Sequence, residues 1–168
     1  LADGTPLCSQ KKWRNNPHSW VKLWKHHAAQ SEANDINKIG LKYSEEFITA
    51  YGGKYSSEWF FSKLLETVRE APKVYAAAER FIEAGDWLVW QLTGLEKRCL
   101  SAAGFKAMRV SRTKNKRGWT YPSKSFFKSL NPKLTNVIGD KMESEIISLG
   151  SHAGGLTEKM SKLTGLLP

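Results

Sequence analysis

Residues 71–106 read APKVYAAAERFIEAGDWLVWQLTGLEKRCLSAAGFK, and their reading decides how the chain is built. Behind Pro72, the residues Val74, Ala78, Phe81, Ile82, Gly85, Leu88, Val89 and Leu92 step by threes and fours. That period predicts one long amphipathic helix from Pro72 to about Leu92, opened by proline and stopped at Gly94. Trp87 and Trp90 flank the apolar stripe. Gly85 lies on it, at a cost of about 1 kcal/mol relative to alanine, bearable where another backbone passes close by. Asp86 could reach a loop, but reads better as a solvated or locally paired carboxylate. A short polar turn then leads through the small residues Ser101-Ala102-Ala103-Gly104 to Phe105 and Lys106. A loop held by a packed helix presents that lysine well to a polar ligand, because its ammonium carries three rotatable donors.

The surrounding chain sets the frame. Its 168 residues suffice for one domain with a real hydrophobic core, and 40% hydrophobic with 25% charged residues is an ordinary globular composition. No apolar run reaches bilayer-spanning length, and Leu1-Ala2-Asp3-Gly4 is not a signal peptide. Cys8 and Cys99 have neither metal-ligand spacing nor a disulfide framework, which makes a reducing, cytoplasmic setting the expectation. The formal charge is +10, and it is concentrated: residues 97–141 hold 12 Lys or Arg against a single acid, Asp140. The remainder is close to neutral.

From the beginning, Asp3-Gly4 reads as a hairpin turn with Thr5-Pro6-Leu7-Cys8 leaving it extended. Asn16 and Pro17 predict a helix from about His18, with Trp20, Leu23, Trp24 and His27 on one face. The adjacent His26 and His27 would diverge by about 100° on such a helix and cannot chelate one metal from one face. Ser31 is the expected cap of a helix running to about Ala50, with Ile36, Ile39, Tyr43, Phe47 and Ile48 inward. Gly52-Gly53 end it, and Ser56 or Ser57 is expected to cap a further helix to about Glu70 carrying Phe60, Phe61, Leu64, Leu65 and Val68. Tyr121-Pro122-Ser123-Lys124 and Asn131-Pro132 each start a short helix. No GxxxxGK[ST] or GxGxxG phosphate motif occurs anywhere.

Four groups of residues in register carry a resemblance. They are Asn15-Asn16-Pro17-His18 with Lys22-Leu23-Trp24-Lys25-His26-His27, then Tyr51-Gly52-Gly53-Lys54-Tyr55-Ser56-Ser57-Glu58-Trp59, then Asp86-Trp87 with Leu92-Thr93-Gly94, and last Ala103-Gly104-Phe105-Lys106. Together they resemble the FGGY carbohydrate kinases, and among these the L-ribulokinases. The general FGGY signature, a lysine three residues after a small polar residue, is not matched cleanly at Ser57, although Lys63 follows.

The resemblance implies an α/β, mostly helical fold, part of an actin-like, ribonuclease-H-like N-terminal domain. It implies transfer of the ATP γ-phosphoryl to L-ribulose or a related ketopentose with Mg²⁺, in pentose or arabinose catabolism. Trp24 would line the sugar pocket and Lys106 would hydrogen-bond sugar hydroxyls; no catalytic, metal-binding or cofactor-binding residue is carried over. Residues 1–168 would be part of that sugar-binding domain. The first phosphate-binding hairpin, the catalytic-aspartate strand and the ATP-binding second domain would all lie outside it. ATP and Mg²⁺ would serve the parent enzyme, and the isolated chain would be inactive.

Two other readings compete. Arg109, Arg112, Lys114, Lys116 and Arg117, followed by Gly118-Trp119, could contact nucleic-acid phosphates with an aromatic alongside. A solvated hairpin tip or surface insertion explains the same residues and is the preferred reading. A structural or interaction fragment would instead self-associate through apolar surface left uncovered.

Overall fold

The computed structural model describes residues 1–111 and 118–167, and the chain reaches its first α-helix only at α1 (Gln30–Lys42). The expected opening hairpin is absent. Gly4 turns the chain at φ 80°, Leu7–Ser9 is a single 3-10 turn, and the turn seats on a later helix through the Trp87 indole, which donates to the Gly4 carbonyl at 2.7 Å. The helix expected from His18 is likewise only a 3-10 turn, Pro17–Ser19, although Asn16 caps it as read, its side chain accepting the His18 N–H at 2.9 Å.

α1 and α2 (Glu46–Ala50) replace the single helix expected as far as Ala50. The chain reverses at Ser44, φ 51°, where the Glu45 N–H donates to the Gly40 carbonyl at 3.0 Å. Gly40 makes the fold-back feasible: a Cβ there would sit 2.9 Å from side-chain atoms of both Phe47 and Ile48. Ser31 is not the cap, since Ala29 holds that position and the Ser31 hydroxyl donates to Glu32 instead. Gly52 and Gly53, at φ 70° and 92°, turn the chain out of α2 as read. α3 (Phe60–Glu70) then buries Phe61, Leu64, Leu65 and Val68; neither Ser56 nor Ser57 caps it.

The single helix expected from Pro72 to Leu92 is two, α4 (Pro72–Ala77) and α5 (Ala84–Thr93). Between them the backbone finds partners elsewhere. The Phe81 N–H donates to the Lys141 carbonyl at 3.0 Å, the Lys141 ammonium donates to the Ala78 carbonyl, and Arg80 pairs with Glu96 at 2.9 Å. These tertiary bonds outweigh a local helical preference that is worth only tenths of a kcal/mol per residue. The stripe is correspondingly broken, with Leu88 53% exposed and Trp90 buried. Gly85 falls in the first turn of α5 with nothing packed within 4 Å, so no close backbone explains it. Gly94, φ 73°, closes α5 as read.

β1 (Lys97–Cys99) leads directly into α6 (Leu100–Lys106), a helix where a loop was expected. Asp86 is buried rather than solvated, and its carboxylate accepts the Cys99 N–H at 3.0 Å, tying α5 to the start of α6. Burial pushes that carboxyl above its ordinary pKa, against the opposing pull of the Cys99 N–H and nearby Arg98. β2 (Val110–Ser111) and β3 (Trp119–Thr120) pair antiparallel, and the Arg109 guanidinium lies 5.6 Å from the Trp119 ring centroid. Residues 112–117, with Arg112, Lys114, Lys116 and Arg117 of the basic stretch, lie outside the described residues.

α7 (Lys124–Leu130) starts at Ser123, whose hydroxyl accepts the Phe126 N–H at 3.1 Å, and Asn131 caps the 3-10 turn Pro132–Leu134, both as read. α8 (Val137–Lys141) precedes β4 (Glu145–Ile147), which pairs parallel with β1, Arg98 opposite Ile146. α9 (Glu158–Thr164) is the last helix among the described residues. The fold is α/β and mostly helical, with α1, α2, α3 and α7 gathered around Phe47, Tyr55, Phe61, Phe126 and Phe127. Phe47 meets Tyr55 and Phe126 edge-on at 5.8 and 5.3 Å between ring centroids. Among the described residues no helix is long and apolar enough to cross a membrane.

Candidate functional site

Two tyrosines from the turn between α2 and α3 fix the end of α6. The Tyr51 hydroxyl donates to the Gly104 carbonyl and accepts the Met108 N–H at 2.9 Å. The Tyr55 hydroxyl donates to the Lys106 carbonyl and accepts the Phe61 N–H at 3.0 Å. Asn37 of α1 holds the Tyr55 backbone in turn, bonding its N–H at 2.7 Å and its carbonyl at 3.0 Å. Burial pushes Tyr51 up to about 12 and Tyr55 well above the ordinary phenol range, so both remain neutral donors. Replacing Tyr55 with phenylalanine leaves the Lys106 carbonyl and Phe61 N–H without this partner, and is expected to cost about 1–3 kcal/mol. Urea unfolding measures it; an unchanged midpoint would contradict the clamp.

Lys106, the last residue of α6, is aimed across the surface by this arrangement. Its ammonium lies 4.4 Å from the Trp24 ring centroid and 3.3 Å from a Glu83 carboxylate oxygen. The two residues that the resemblance singled out are thus brought together, although Lys106 comes from a helix end rather than a loop. Trp24 comes from an irregular strap, residues 20–29, rather than from a helix. Its indole N–H donates to Glu58 at 2.7 Å, which sets the ring plane, and 58% of the residue stays exposed. His27 pairs with the other Glu58 oxygen at 3.4 Å. Lys63 of α3 donates to the Leu23 carbonyl at 2.8 Å. Burial lowers its pKa, as do Lys106 and Lys22 nearby, while Glu83 and Glu58 oppose the shift.

The surface therefore combines a flat aromatic face, two ammonium groups and two carboxylates. An indole face suits the C–H side of a sugar ring or chain, lysines donate to hydroxyl oxygens, and carboxylates accept from hydroxyl protons. Sequence reasoning did not single out Glu58 or Glu83, and named Lys63 only as the lysine that follows Ser57. Glu58 at least stood inside a quoted group; Glu83 had no signal beyond its place in the supposed long helix. The adjacent histidines serve different carboxylates, His26 hydrogen-bonding Glu66 and His27 lying beside Glu58. Among the described residues no group of three or more His, Cys, Asp or Glu is gathered that could hold a metal ion.

No family model matches the chain. Individual relatives do. The chain is 49% identical to a ribulokinase of Bacillus licheniformis over 165 residues, covering 98% of the chain and 29% of that protein. It is 44% identical to a ribulokinase of Geobacillus thermodenitrificans over 167 residues, covering 99% and 28%, and 44% identical to one of Mycolicibacterium smegmatis over 165, covering 98% and 28%. The chain spans under a third of the length of the curated relatives it matches. A mostly helical α/β chain with this degree of identity is homologous to part of a carbohydrate kinase. Its homologues are the ribulokinases, which it matches along nearly its whole length.

Proposed function

We propose that residues 1–168 form part of the N-terminal, sugar-binding domain of an ATP-dependent kinase that phosphorylates L-ribulose or a related pentulose at a terminal hydroxyl. The observation that carries the reading is the Lys106 ammonium 4.4 Å from the Trp24 ring, with Glu83 beside it. The indole takes the apolar face of the pentulose while Lys106 donates to its hydroxyls. Trp24 and Lys106 bind and orient; neither moves a proton in the transfer.

Residues 1–168 contain no glycine-rich phosphate motif of the GxxxxGK[ST] or GxGxxG kind to which MgATP could be assigned. ATP, Mg²⁺ and the general base are assigned to sequence outside residues 1–168, and a cytoplasmic setting goes with such an enzyme.

A chimera tests this. Residues 1–168 would replace the matching segment of the Bacillus licheniformis ribulokinase, and ADP release would be followed with L-ribulose and MgATP. The chimera is expected to turn over only when the pentulose is present, and the isolated chain not at all. A folded chimera without sugar-dependent ADP release, or turnover by the isolated chain, would contradict the proposal.

A further inference from the structure

We propose that Glu66 is a positioning residue that fixes the Trp24-bearing strap against α3 and thereby sets the pose of the sugar-facing indole, an inference that rests on the sugar-binding reading of Trp24. Apolar burial anchors the strap only at its end, Ala29. Trp20, Val21, Leu23 and Trp24 are between 51% and 67% exposed, and residues 20–29 form no helix or strand.

What holds it is charge. Glu66 projects from α3 with its side chain 2% exposed, and it binds the residues two before and two after Trp24. The Lys22 ammonium donates to one carboxylate oxygen, and His26 Nε2 lies 2.9 and 3.0 Å from the two oxygens. Burial by itself would raise the Glu66 pKa, but the hydrogen bonds and charges of Lys22 and His26 outweigh it and hold the carboxyl below its ordinary value. Neighbouring turns of α3 reinforce the seam, with Lys63 on the Leu23 carbonyl and Glu70 on His18 at 3.2 Å. A buried carboxylate with two cationic or donor partners is a strong local link, because neither side is well solvated once the other is removed.

Glu66→Gln keeps the side chain's size and removes the charge that Lys22 faces. Lys22→Met cuts the same link from the strap side and changes no residue of α3, which gives a second test if E66Q does not fold. Hydrogen exchange at the Trp24 indole N–H and the His26 amide is followed by NMR in the 168-residue chain, with the amides of α1 and α7 as reference. L-ribulose affinity is measured on the same samples.

Both variants are expected to speed strap exchange about tenfold over any change in the reference helices, and to weaken L-ribulose about tenfold. Equal acceleration everywhere, or an unchanged strap, would overturn the proposal by making Glu66 a general stabiliser or a bystander. Trp24→Ala separates the two readings. If W24A weakens L-ribulose while E66Q and K22M do not, only the positioning role fails. If W24A leaves affinity unchanged, the sugar-binding reading fails, and with it the affinity arm of this proposal.

Discussion

Lys106→Met is expected to weaken L-ribulose binding by about 10- to 100-fold, with little change in stability. Methionine preserves an unbranched stem and deletes the ammonium that lies over the Trp24 ring. Hydrogen bonds from a charged donor contribute about 1.5–3 kcal/mol, and about 1.4 kcal/mol is a factor of ten in affinity. The stability side is small because the partner, Glu83, is partly exposed and a pair of that kind contributes little once solvent screens it. Calorimetric or NMR titration of the variant against the unchanged chain measures the first quantity, and urea unfolding the second. An unaltered affinity for L-ribulose would mean that Lys106 does not touch the sugar. A large fall in stability would mean that the lysine belongs to the fold and not to the site.

Phe47→Ala is expected to produce the largest loss of stability, about 3–5 kcal/mol against a total of roughly 5–15 for a domain of this kind. Phe47 is 1% exposed and packs on the rings of Tyr51, Tyr55 and Phe126. It also fills the notch left by Gly40. The cavity would open beside the two tyrosines that hold the carbonyls of Gly104 and Lys106, so the site is expected to loosen with the core. Chemical denaturation gives the stability change. A loss below about 1 kcal/mol would show that the aromatic cluster can collapse around the gap and is not the rigid base of the site.

The parts of the fold legible in the sequence are those written in local chemistry. Ser123 and Asn131 cap their elements because a short hydroxyl or amide side chain reaches the N–H two or three residues on. Gly52, Gly53 and Gly94 end helices because each adopts a positive φ that other residues resist. What was not legible depends on partners far along the chain. The break between α4 and α5 is made by Lys141, and the strap at residues 20–29 is held by Glu58 in the turn before α3 and by Lys63 and Glu66 on α3. No helical period in either stretch contains that information.

The candidate site divides in the same way. Trp24 and Lys106 were singled out by resemblance to the ribulokinases, and neither spacing nor composition relates them. The folded chain adds the physical link: Tyr55 on the Lys106 carbonyl, Glu58 on the Trp24 indole, and the ammonium over the ring. Glu83 became visible only when the long helix proved to be interrupted, because its place at the start of α5 turns its carboxylate toward Lys106. The correction to the fold and the completion of the site are therefore one observation.

The most direct measurement is an NMR titration of L-ribulose into the 168-residue chain, following the Trp24 indole N–H and the Lys106 side-chain methylenes. A sugar seated on the indole and donated to by the ammonium predicts saturable shifts at both residues with a single affinity, and their loss in K106M. Shifts absent from both residues while the chain remains folded, or shifts confined to a different surface, would contradict the assignment of this face to the sugar.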